Sequence, residues 1–536
     1  MKKGQEYTGI VEEVLFPNRG VVCVDGETEK VSIKNVIPGQ RVRFVVSKKR
    51  KRIEGRLLEV LERSALETAK EPCPHFLECG GCLYQTVPYE AQLSLKEKQI
   101  RTLLSPLFDV DSVYRGISGS PVSDSYRNKM ELSFGDCEKG GDLTLGMHRR
   151  GSFFDVLETT DCRLMDRDMR RVAGITLEYF REKGVAYYHK RTHRGYLRHL
   201  LIRKAGKTGE MLVCLVTSSD LAGKGSPEGL QNENMEAEKG SPEGLQSVNI
   251  EAEKGLSDSL QNVALEAEKG LLEGWKNALL EAEYEGRVVG ILHTRNDRLA
   301  DVVEDQGTEI LFGQGAFREE LLGLQFVITP FSFFQTNSAG AEVLYDSVKK
   351  AISEKILSAK DAHFSRIFDL YSGTGTIAQL LADVADEVVG VEIVSEAVEA
   401  AKENASRNGI SNCTFIEGDV LSVLSTLEKA PDCIILDPPR DGVHPKALPK
   451  ILAYQVPNIV YISCKATSLA RDLPLFFEAG YEVKDLWMVD LFPSTGNVET
   501  VCLLSNRKPD ARVKIDVDLE DYYRIKDEQK KNKASE

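Results

Sequence analysis

The sequence has no long apolar run, and this absence argues against a membrane-spanning helix. Such a helix requires about 18 consecutive apolar residues, and no stretch of the 536 residues approaches that length. The first residues, MKKGQEYTGIVEEV, turn polar and acidic where a secretory leader would have about 7 to 15 apolar residues. We therefore expect a cytoplasmic protein with no membrane partner.

The chain also lacks the excess of positive charge that is common in nucleic-acid-binding proteins, since its formal net charge is −14. Much of the acidity is local, because residues 225–285 hold 14 Asp or Glu against 4 Lys. Conversely, residues 41–56 hold eight Lys or Arg against one Glu, and residues 189–207 interleave positive charge with Tyr196 and aliphatic residues. Such stretches can neutralise phosphates and stack on bases, although a solvated strand face explains each of them equally well.

The chain is too long for a single hydrophobic core, and changes of pattern divide it into four regions. Residues 1–60 alternate apolar and polar positions between turn signals, as in a small antiparallel β-barrel. Residues 61–325 form a strand-rich central region, residues 326–510 alternate short apolar strands with helices, and residues 511–536 form a charged tail. The third region therefore predicts a doubly wound α/β domain whose ligands bind at the carboxyl ends of its strands.

A tandem repeat of 15 residues interrupts the central region at 225–284. Three similar copies, at 225–239, 240–254 and 255–269, precede a divergent fourth copy at 270–284. The fourth copy has the richest set of apolar residues at helical spacing. We interpret it as an amphipathic helix of the domain, and the other three copies as an acidic expansion on the surface without a catalytic role.

The segment DLYSGTGTIAQLLA, residues 369–382, is typical of a strand, a glycine turn and a helix. Gly373 and Gly375 would let the backbone come close to a ligand at the helix N-terminus. The next apolar strand ends at Glu392, whose carboxylate can accept hydrogen bonds from ribose hydroxyls. Dinucleotides and S-adenosylmethionine are both bound in this way, but the turn lacks the full G-x-G-x-x-G and a later strand ends in DPPR at Asp437, which favours the methyl donor.

Five motifs in this order resemble the RNA uracil-5-methyltransferase family, whose members make 5-methyluridine in ribosomal or transfer RNA: FSFFQTNSAGAEVLY, DLYSGTGTI, LDPPRDG, SCKAT and NVET. The resemblance covers most of the chain outside the repeat and the tail. It implies that residues 1–60 form the family's RNA-binding TRAM barrel, an OB-like fold. It also implies that four residues contact S-adenosylmethionine, namely Gln335, Tyr371, Glu392 and Asp437.

Cys464 follows the apolar strand YIS, and a free cysteine is more often a small buried hydrophobe than a nucleophile. Uracil C5, however, takes a methyl group only after a thiolate has added at C6, and a base must then remove the C5 proton. The resemblance implies that Cys464 is this nucleophile and Glu499 this base, with Lys465 as a candidate to stabilise the thiolate. The chain departs from the family at Ala466, where proline is usual, and at Asn497, where histidine is frequent.

The segment PCPHFLECGGC places Cys73, Cys79 and Cys82 at C-x5-C-x2-C spacing. Three close thiolates with a distant fourth suit either a [4Fe-4S] cluster or tetrahedral zinc, and the spacing alone leaves both open. Iron-sulfur members of the resembled family have this spacing and a fourth ligand that Cys162 matches. The resemblance therefore favours [4Fe-4S], in a structural or RNA-positioning role, with zinc as the alternative.

Taken together, these motifs predict an S-adenosylmethionine-dependent enzyme that methylates C5 of a uridine in 23S ribosomal RNA, because the family's iron-sulfur motif and TRAM-like barrel occur together. Transfer RNA is the second candidate substrate, and no obligate protein partner is evident. A cytosine-5 methyltransferase and a non-catalytic RNA-binding assembly factor are the rival functions. The target uracil must leave any stack to be reached, and Phe331, Phe333 and Phe334 are candidates to stack on it, unless at least one of them packs in the core.

Overall fold

The computed structural model describes residues 1–49, 52–69, 72–221, 250–300, 303, 305–354, 356, 363–427 and 429–507. The charged tail at 511–536, the first copy of the repeat and most of the second copy lie outside the described residues. Every helix within these ranges is too short or too polar to cross a membrane.

The N-terminal strands close into the predicted small barrel. Their order around it is β1-β2-β3-β5-β4, and their bounds are β1 (Glu6–Leu15), β2 (Arg19–Val24), β3 (Lys30–Ile33), β4 (Arg41–Lys49) and β5 (Ile53–Glu62). Alternate side chains such as Val11, Val22 and Phe44 fill the interior, because successive strand residues face opposite sides. The barrel departs from a purely antiparallel one in a single short pairing, since β3 and β5 run parallel.

The chain next contributes α1 (Tyr89–Leu104), α2 (Val110–Val113) and β6 (Tyr114–Gly119). These elements lie within the predicted central region, yet β6 pairs in parallel with a strand of the C-terminal sheet. Residues of α1, including Ile100 and Leu104, pack into the core of that same sheet. This part of the predicted central region therefore belongs to the C-terminal domain in space, which the order of the sequence did not indicate.

A seven-stranded sheet in the order β13-β12-β11-β10-β7-β8-β9 forms the central domain. Its strands and the helix between them are β7 (Lys129–Asp136), β8 (Leu143–His148), β9 (Val156–Glu158), α3 (Arg167–Glu182), β10 (Leu197–Lys204), β11 (Glu210–Thr217), β12 (Arg287–Arg295) and β13 (Thr308–Gly313). The second basic stretch, 189–207, runs into the middle of this sheet. Its Arg198 and Arg203 are buried and donate to backbone carbonyls, for example from Arg203 to Pro330 at 2.9 Å. Residues 189–194 are therefore the accessible part of its first half, and the exposed Lys207 at its end already forms an ion pair with Glu342.

The repeat forms a longer helix than predicted, α4 (Ile250–Leu280). The fourth copy does supply an amphipathic helix, since Leu272, Trp275 and Leu279 are buried against α3 and the sheet. The third copy is more than a surface expansion, because its Glu268 is buried and accepts hydrogen bonds of 2.8 Å from the Tyr196 hydroxyl and from Arg295. Fifteen residues come close to four helical turns, so neighbouring copies can continue one helix.

The C-terminal domain begins with the hairpin β14 (Phe317–Leu321) and β15 (Leu324–Ile328) and continues as alternating strands and helices. Its remaining elements are α5 (Ser338–Ser353), β16 (Phe364–Leu370), α6 (Thr376–Leu380), β17 (Ala385–Glu392), α7 (Ser395–Arg407), β18 (Cys413–Glu417), α8 (Val420–Val423), β19 (Cys433–Leu436), α9 (Ala447–Ala453), β20 (Asn458–Ser463), α10 (Ala466–Glu478), β21 (Tyr481–Asp490) and β22 (Glu499–Asn506).

These strands form an eight-stranded sheet in the order β18-β17-β16-β19-β20-β22-β21-β6, with a hydrophobic core on each face. The five strands from β18 to β20 are parallel, and β22 runs antiparallel to both of its neighbours. The predicted doubly wound α/β fold is confirmed. The strand order reverses between β16 and β19, and ligands of such sheets bind in the crevice at that switch point.

Candidate active site and cysteine cavity

The turn after β16 has a backbone that favours glycine. Tyr371, Gly373 and Gly375 have φ values of 70°, 52° and 74°. A Cβ added at Gly375 would lie 2.6 Å from the Phe415 ring, whereas one added at Gly373 would meet no atom within 4 Å. The turn is therefore closely packed below Gly375 and open at Gly373, where a ligand can approach the backbone.

Glu392 ends β17 beside this turn. One carboxylate oxygen accepts a hydrogen bond from the Gly373 amide at 3.0 Å, and the other accepts from the amides of Ile393 and Val394 at 2.9 and 3.0 Å. Three backbone donors thus fix the position of the carboxylate at the mouth of the crevice. Its remaining lone pairs can accept further hydrogen bonds, and the predicted contact with a ribose stays a prediction.

Asp369 lies in β16 and Asp437 directly follows the adjacent strand β19 at the switch point, and burial raises the pKa of each to about 7. The Asp437 charge raises the pKa of Asp369 further. One oxygen of Asp369 accepts from the Ala378 amide at 3.0 Å, while the other is buried without a partner. Such a pair of carboxyl groups can be ionised together more readily when a cation binds beside them.

Gln335 and Tyr371 approach the crevice from different sides. The Gln335 side chain forms a hydrogen bond with the phenol of the buried Tyr345. Burial raises the pKa of this phenol, and the charge of the nearby Asp437 carboxylate raises it further. The Tyr371 ring packs against the core on the α9 and α10 face, and its hydroxyl lies at the backbone of His444. Burial raises the pKa of Tyr371 to about 12, so the hydroxyl is neutral.

Cys464 and Glu499 are brought together by the pairing of β20 with β22. Ser463 pairs with Thr500 at the end of that antiparallel ladder, so Cys464 and Glu499 occupy the next position. Burial raises the pKa of the Cys464 thiol to about 11, and the nearby carboxylates of Glu499 and Asp437 add to this effect. Burial also raises the pKa of Glu499 to about 8, with Asp437 again contributing. A thiol and two carboxyl groups therefore share one recess at the carboxyl edge of the sheet.

Arg440, in the DPPR turn, is a functional candidate that the sequence reasoning missed. Its charge lowers the pKa of both Cys464 and Glu499, against the larger effect of burial. Lys465 is the N-cap residue directly before α10, and its help to the thiolate stays a prediction. The arginine of the motif itself was the available signal.

The loop that leads to Glu499 is held by residues from the first third of the chain. Asp490, at its start, forms a fully buried ion pair of 2.8 Å with Lys96 of α1, and Lys96 also donates to the Phe492 carbonyl. The Tyr126 hydroxyl donates to the Pro493 carbonyl at 3.0 Å. These contacts position the base candidate from a distant part of the sequence.

Asn128 holds the loop that carries Gln335 in a similar way. Its side-chain amide donates to the Gln335 carbonyl and to the Ser338 hydroxyl, both at 2.8 Å. Its backbone amide donates to the Thr336 carbonyl at 2.9 Å. The central domain thus supplies the support for one wall of the crevice.

Of the three phenylalanines proposed to stack on a target base, the structure leaves one largely exposed. Phe334 is buried against Phe326, with ring centroids 5.7 Å apart, and Phe331 packs partly against the core. Phe333 is 69% exposed. Phe333 is therefore the remaining candidate of the three for contact with a flipped base.

Cys73, Cys79, Cys82 and Cys162 line one cavity of about 270 Å³. His75 and Asp161 join the two segments that carry these cysteines through a contact of 2.7 Å. Burial raises the pKa of Cys79 and Cys82, and that of Cys162 to about 11. Among the described residues, no three or more His, Cys, Asp or Glu side chains stand close enough to share a single metal ion. The four thiols surround a common space without meeting at one point.

Residues 363–477 match the family model described as a methyltransferase domain. The chain is 41% identical over 502 residues to an uncharacterized RNA methyltransferase of Clostridium tetani, covering 94% of this chain and 98% of that one. It is also 41% identical over 505 residues to an RNA methyltransferase of Caldanaerobacter subterraneus subsp. tengcongensis, covering 94% and 99%. The Pyrococcus abyssi tRNA (uracil-54, C5)-methyltransferase, solved with S-adenosyl-L-homocysteine, has a similar fold, with a TM-score of 0.65, 22% identity and coverage of 93% and 99%.

Proposed function

The chain belongs to the family of RNA methyltransferases that these relatives represent, and from this premise we propose that it methylates C5 of a uridine in 23S ribosomal RNA through a covalent bond between Cys464 and C6. The observation that carries this proposal is the β20–β22 register, which sets Cys464 beside Glu499 at the edge where ligands of the sheet bind. A thiol and a carboxyl group so arranged match the nucleophile and the base that uracil C5 chemistry requires.

S-adenosylmethionine, the methyl donor of this family's fold, carries its methyl group on a positively charged sulfur. The residues proposed to hold it are Gln335, Tyr371, Gly373, Gly375, Glu392 and Asp437. The open backbone at Gly373, the fixed carboxylate of Glu392 and the unpartnered oxygen of Asp369 fit such a ligand. A bound cation would lower the pKa of the neighbouring carboxyl groups and favour their ionised forms.

The protonation states of the free protein differ from those that the reaction needs. At pH 7 the Cys464 thiol and the Glu499 carboxyl both hold protons, since their pKa values are about 11 and 8. The reaction uses the thiolate of the first and the carboxylate of the second. Arg440 favours both of these forms, and the positive charge of the methyl donor acts in the same direction.

In the proposed reaction, the Cys464 sulfur bonds to C6, and the electrons of the C5=C6 bond move toward the C4 oxygen to give an enolate. The nucleophilic C5 of this enolate then bonds to the methyl carbon of S-adenosylmethionine, the bond between that carbon and the sulfonium sulfur breaks, and S-adenosylhomocysteine leaves. Glu499 removes the remaining C5 proton, the C5=C6 bond re-forms, and the bond between sulfur and C6 breaks. The thiolate is regenerated, so Cys464 acts as a true catalyst.

The substrate assignment rests on the combination of the barrel with the cysteine motif, which the resembled family shows in its ribosomal members. In this proposal the barrel is a TRAM domain that binds RNA, residues 61–325 carry the four cysteines of the cavity, and residues 326–510, joined in space by α1 and β6, form the catalytic domain. Transfer RNA is the second candidate, because the protein of similar fold from Pyrococcus abyssi acts on tRNA.

We assign Cys73, Cys79, Cys82 and Cys162 as ligands of a [4Fe-4S] cluster. The cavity supports this, because a cubane cluster binds each thiolate to a different iron and so needs four thiols around a common space. Bound there, the cluster would join the segment 73–82 to Cys162 and stabilise the central domain. Iron and acid-labile sulfide in equal amounts in anaerobically purified protein would support the assignment, whereas stoichiometric zinc would overturn it.

The proposed reaction is tested with RNA that contains 5-fluorouridine. Fluorine at C5 cannot leave as a proton, so with S-adenosylmethionine the wild-type protein should be trapped on the RNA, and mass spectrometry should find the methylated adduct on Cys464. The Cys464→Ala variant should form none. An adduct on transfer RNA but not on 23S fragments would change the substrate, and an adduct on neither RNA would overturn the proposed reaction.

A further inference from the structure

Two loops of the central domain place exposed aromatic rings among cations. The first, residues 149–155, joins β8 to β9 and carries Phe153 and Phe154, which are 60% and 43% exposed. The second, residues 189–194, is the accessible part of the first half of the second basic stretch. Contiguous exposed apolar groups with a polar rim are characteristic of interaction sites, whereas apolar residues exposed singly are ordinary.

The cations of the second loop contact the rings of the first. The Lys190 ammonium lies 4.5 Å from the centroid of the Phe153 ring, and the Arg191 guanidinium lies 4.3 Å from that of Phe154. The two rings meet edge to face at 5.6 Å, and the His148 ring is parallel to that of Phe153 at 6.2 Å. These contacts orient the two phenylalanines although neither is buried.

The first loop is anchored to the cysteine segment. Arg150 donates to the carbonyls of Cys79 and Cys82 at 3.1 and 2.7 Å, and Arg149 forms an ion pair with Glu78. The cavity behind these residues is also lined by Thr336, which follows Gln335 in the chain. The surface is therefore rigidly supported and connected through the cysteine cavity to a wall of the active-site crevice.

We propose that Phe153, Phe154, Lys190 and Arg191, named here the aromatic platform, bind a single-stranded segment of the substrate RNA. The bases stack on the two rings, and the cations contact phosphates. The positive charge of the two loops favours a polyanion over an acidic protein surface. The two loops hold five Lys or Arg against one Asp, in a chain whose net charge is −14. This inference deepens the proposed function, on which it rests for the identity of the nucleic acid.

The test measures the binding of the full-length chain to a fluorescein-labelled 12-nucleotide oligo(U) and to an abasic 12-mer with the same phosphates. Wild-type protein should prefer oligo(U), and Phe153→Ala with Phe154→Ala should remove that preference and weaken oligo(U) binding by about 5- to 150-fold for each stacked base. Phe153→Trp should retain the preference, and Phe312→Ala, at an exposed aromatic of β13, serves as the matched control.

Changing Lys190→Gln and Arg191→Gln should reduce the slope of log affinity against log salt by about 0.7 for each lost phosphate contact. Equal binding of oligo(U) and the abasic strand by the wild type would overturn base stacking. Unchanged affinity in the double alanine variant, as expected if the platform binds a protein or a membrane instead, would overturn RNA binding here. The 5-fluorouridine adduct is scored separately on Cys464, so the proposed reaction can fail or stand whatever the platform does.

Discussion

Replacing Glu499 with glutamine should stabilise the cofactor-free protein against unfolding while it abolishes methylation. The carboxyl group is 3% exposed, and its pKa rises from an ordinary 4.5 to about 8 on folding. A folded pKa above the unfolded one means that the folded state binds more protons between these values. The free energy of unfolding is therefore not reduced by this carboxyl group below pH 4.5, and it falls as pH rises toward 8.

The size of this effect follows from the shift. Between pH 4.5 and pH 8, each pH unit lowers the free energy of unfolding by about 1.4 kcal/mol. At pH 7 the wild-type carboxyl group therefore lowers it by about 3 kcal/mol. Glutamine has nearly the same shape and no such penalty. In a domain of this size the gain corresponds to an increase of about 6 to 12 °C in the melting temperature.

The assay is thermal unfolding of wild-type and Glu499→Gln protein without S-adenosylmethionine, at intervals from pH 5 to pH 8. The difference in melting temperature should grow with pH, and a methyl-transfer assay should show a loss of about 10²- to 10⁴-fold in the variant. Glu399→Gln, at an exposed position of α7, controls for the loss of a negative charge. A melting difference that does not change between pH 5 and pH 8 would refute the reasoning.

Three further predictions concern residues that support the sites. Glu268→Ala should destabilise the central domain by about 2 to 4 kcal/mol in urea unfolding, because it leaves buried partners unpaired, whereas Glu266→Ala on the exposed face should have almost no effect. Asn128→Ala should raise the Kd for S-adenosylmethionine by about tenfold in calorimetry, since about 1.4 kcal/mol is the scale of two lost hydrogen bonds; an unchanged Kd would argue against its positioning role. Lys96→Met should cost about 3 to 5 kcal/mol of stability, because Asp490 would remain buried without its partner, and a cost below about 1 kcal/mol in urea unfolding would contradict this.

Local signals in the sequence were sufficient to predict the α/β fold class and to predict which residues lie near the crevice. Parallel strands that are buried on both faces are short apolar runs, and their carboxyl ends meet at one edge of the sheet. Glu392, Asp437 and Cys464 each end or follow such a run, so their neighbourhood could be predicted from sequence order alone. The roles of these residues remain predictions, while their convergence is a property of the fold.

The sequence was a poor guide to partners that lie far apart along the chain. Lys96 contacts Asp490, and Asn128 contacts Gln335, across spans of 394 and 207 residues. The repeat was interpreted from its composition, yet Glu268 enters a buried network with Tyr196 and Arg295.

The sequence by itself determined what depends on neighbours along the chain: the strand and helix pattern, the glycine turn and the order of the motifs. The tertiary structure alone decided which cations and amides support the crevice, that β6 joins the C-terminal sheet, and which part of a basic stretch is exposed. The physical reason is that backbone conformation and apolar periodicity are local, whereas burial, hydrogen-bond partners and pKa depend on segments that only chain packing brings together.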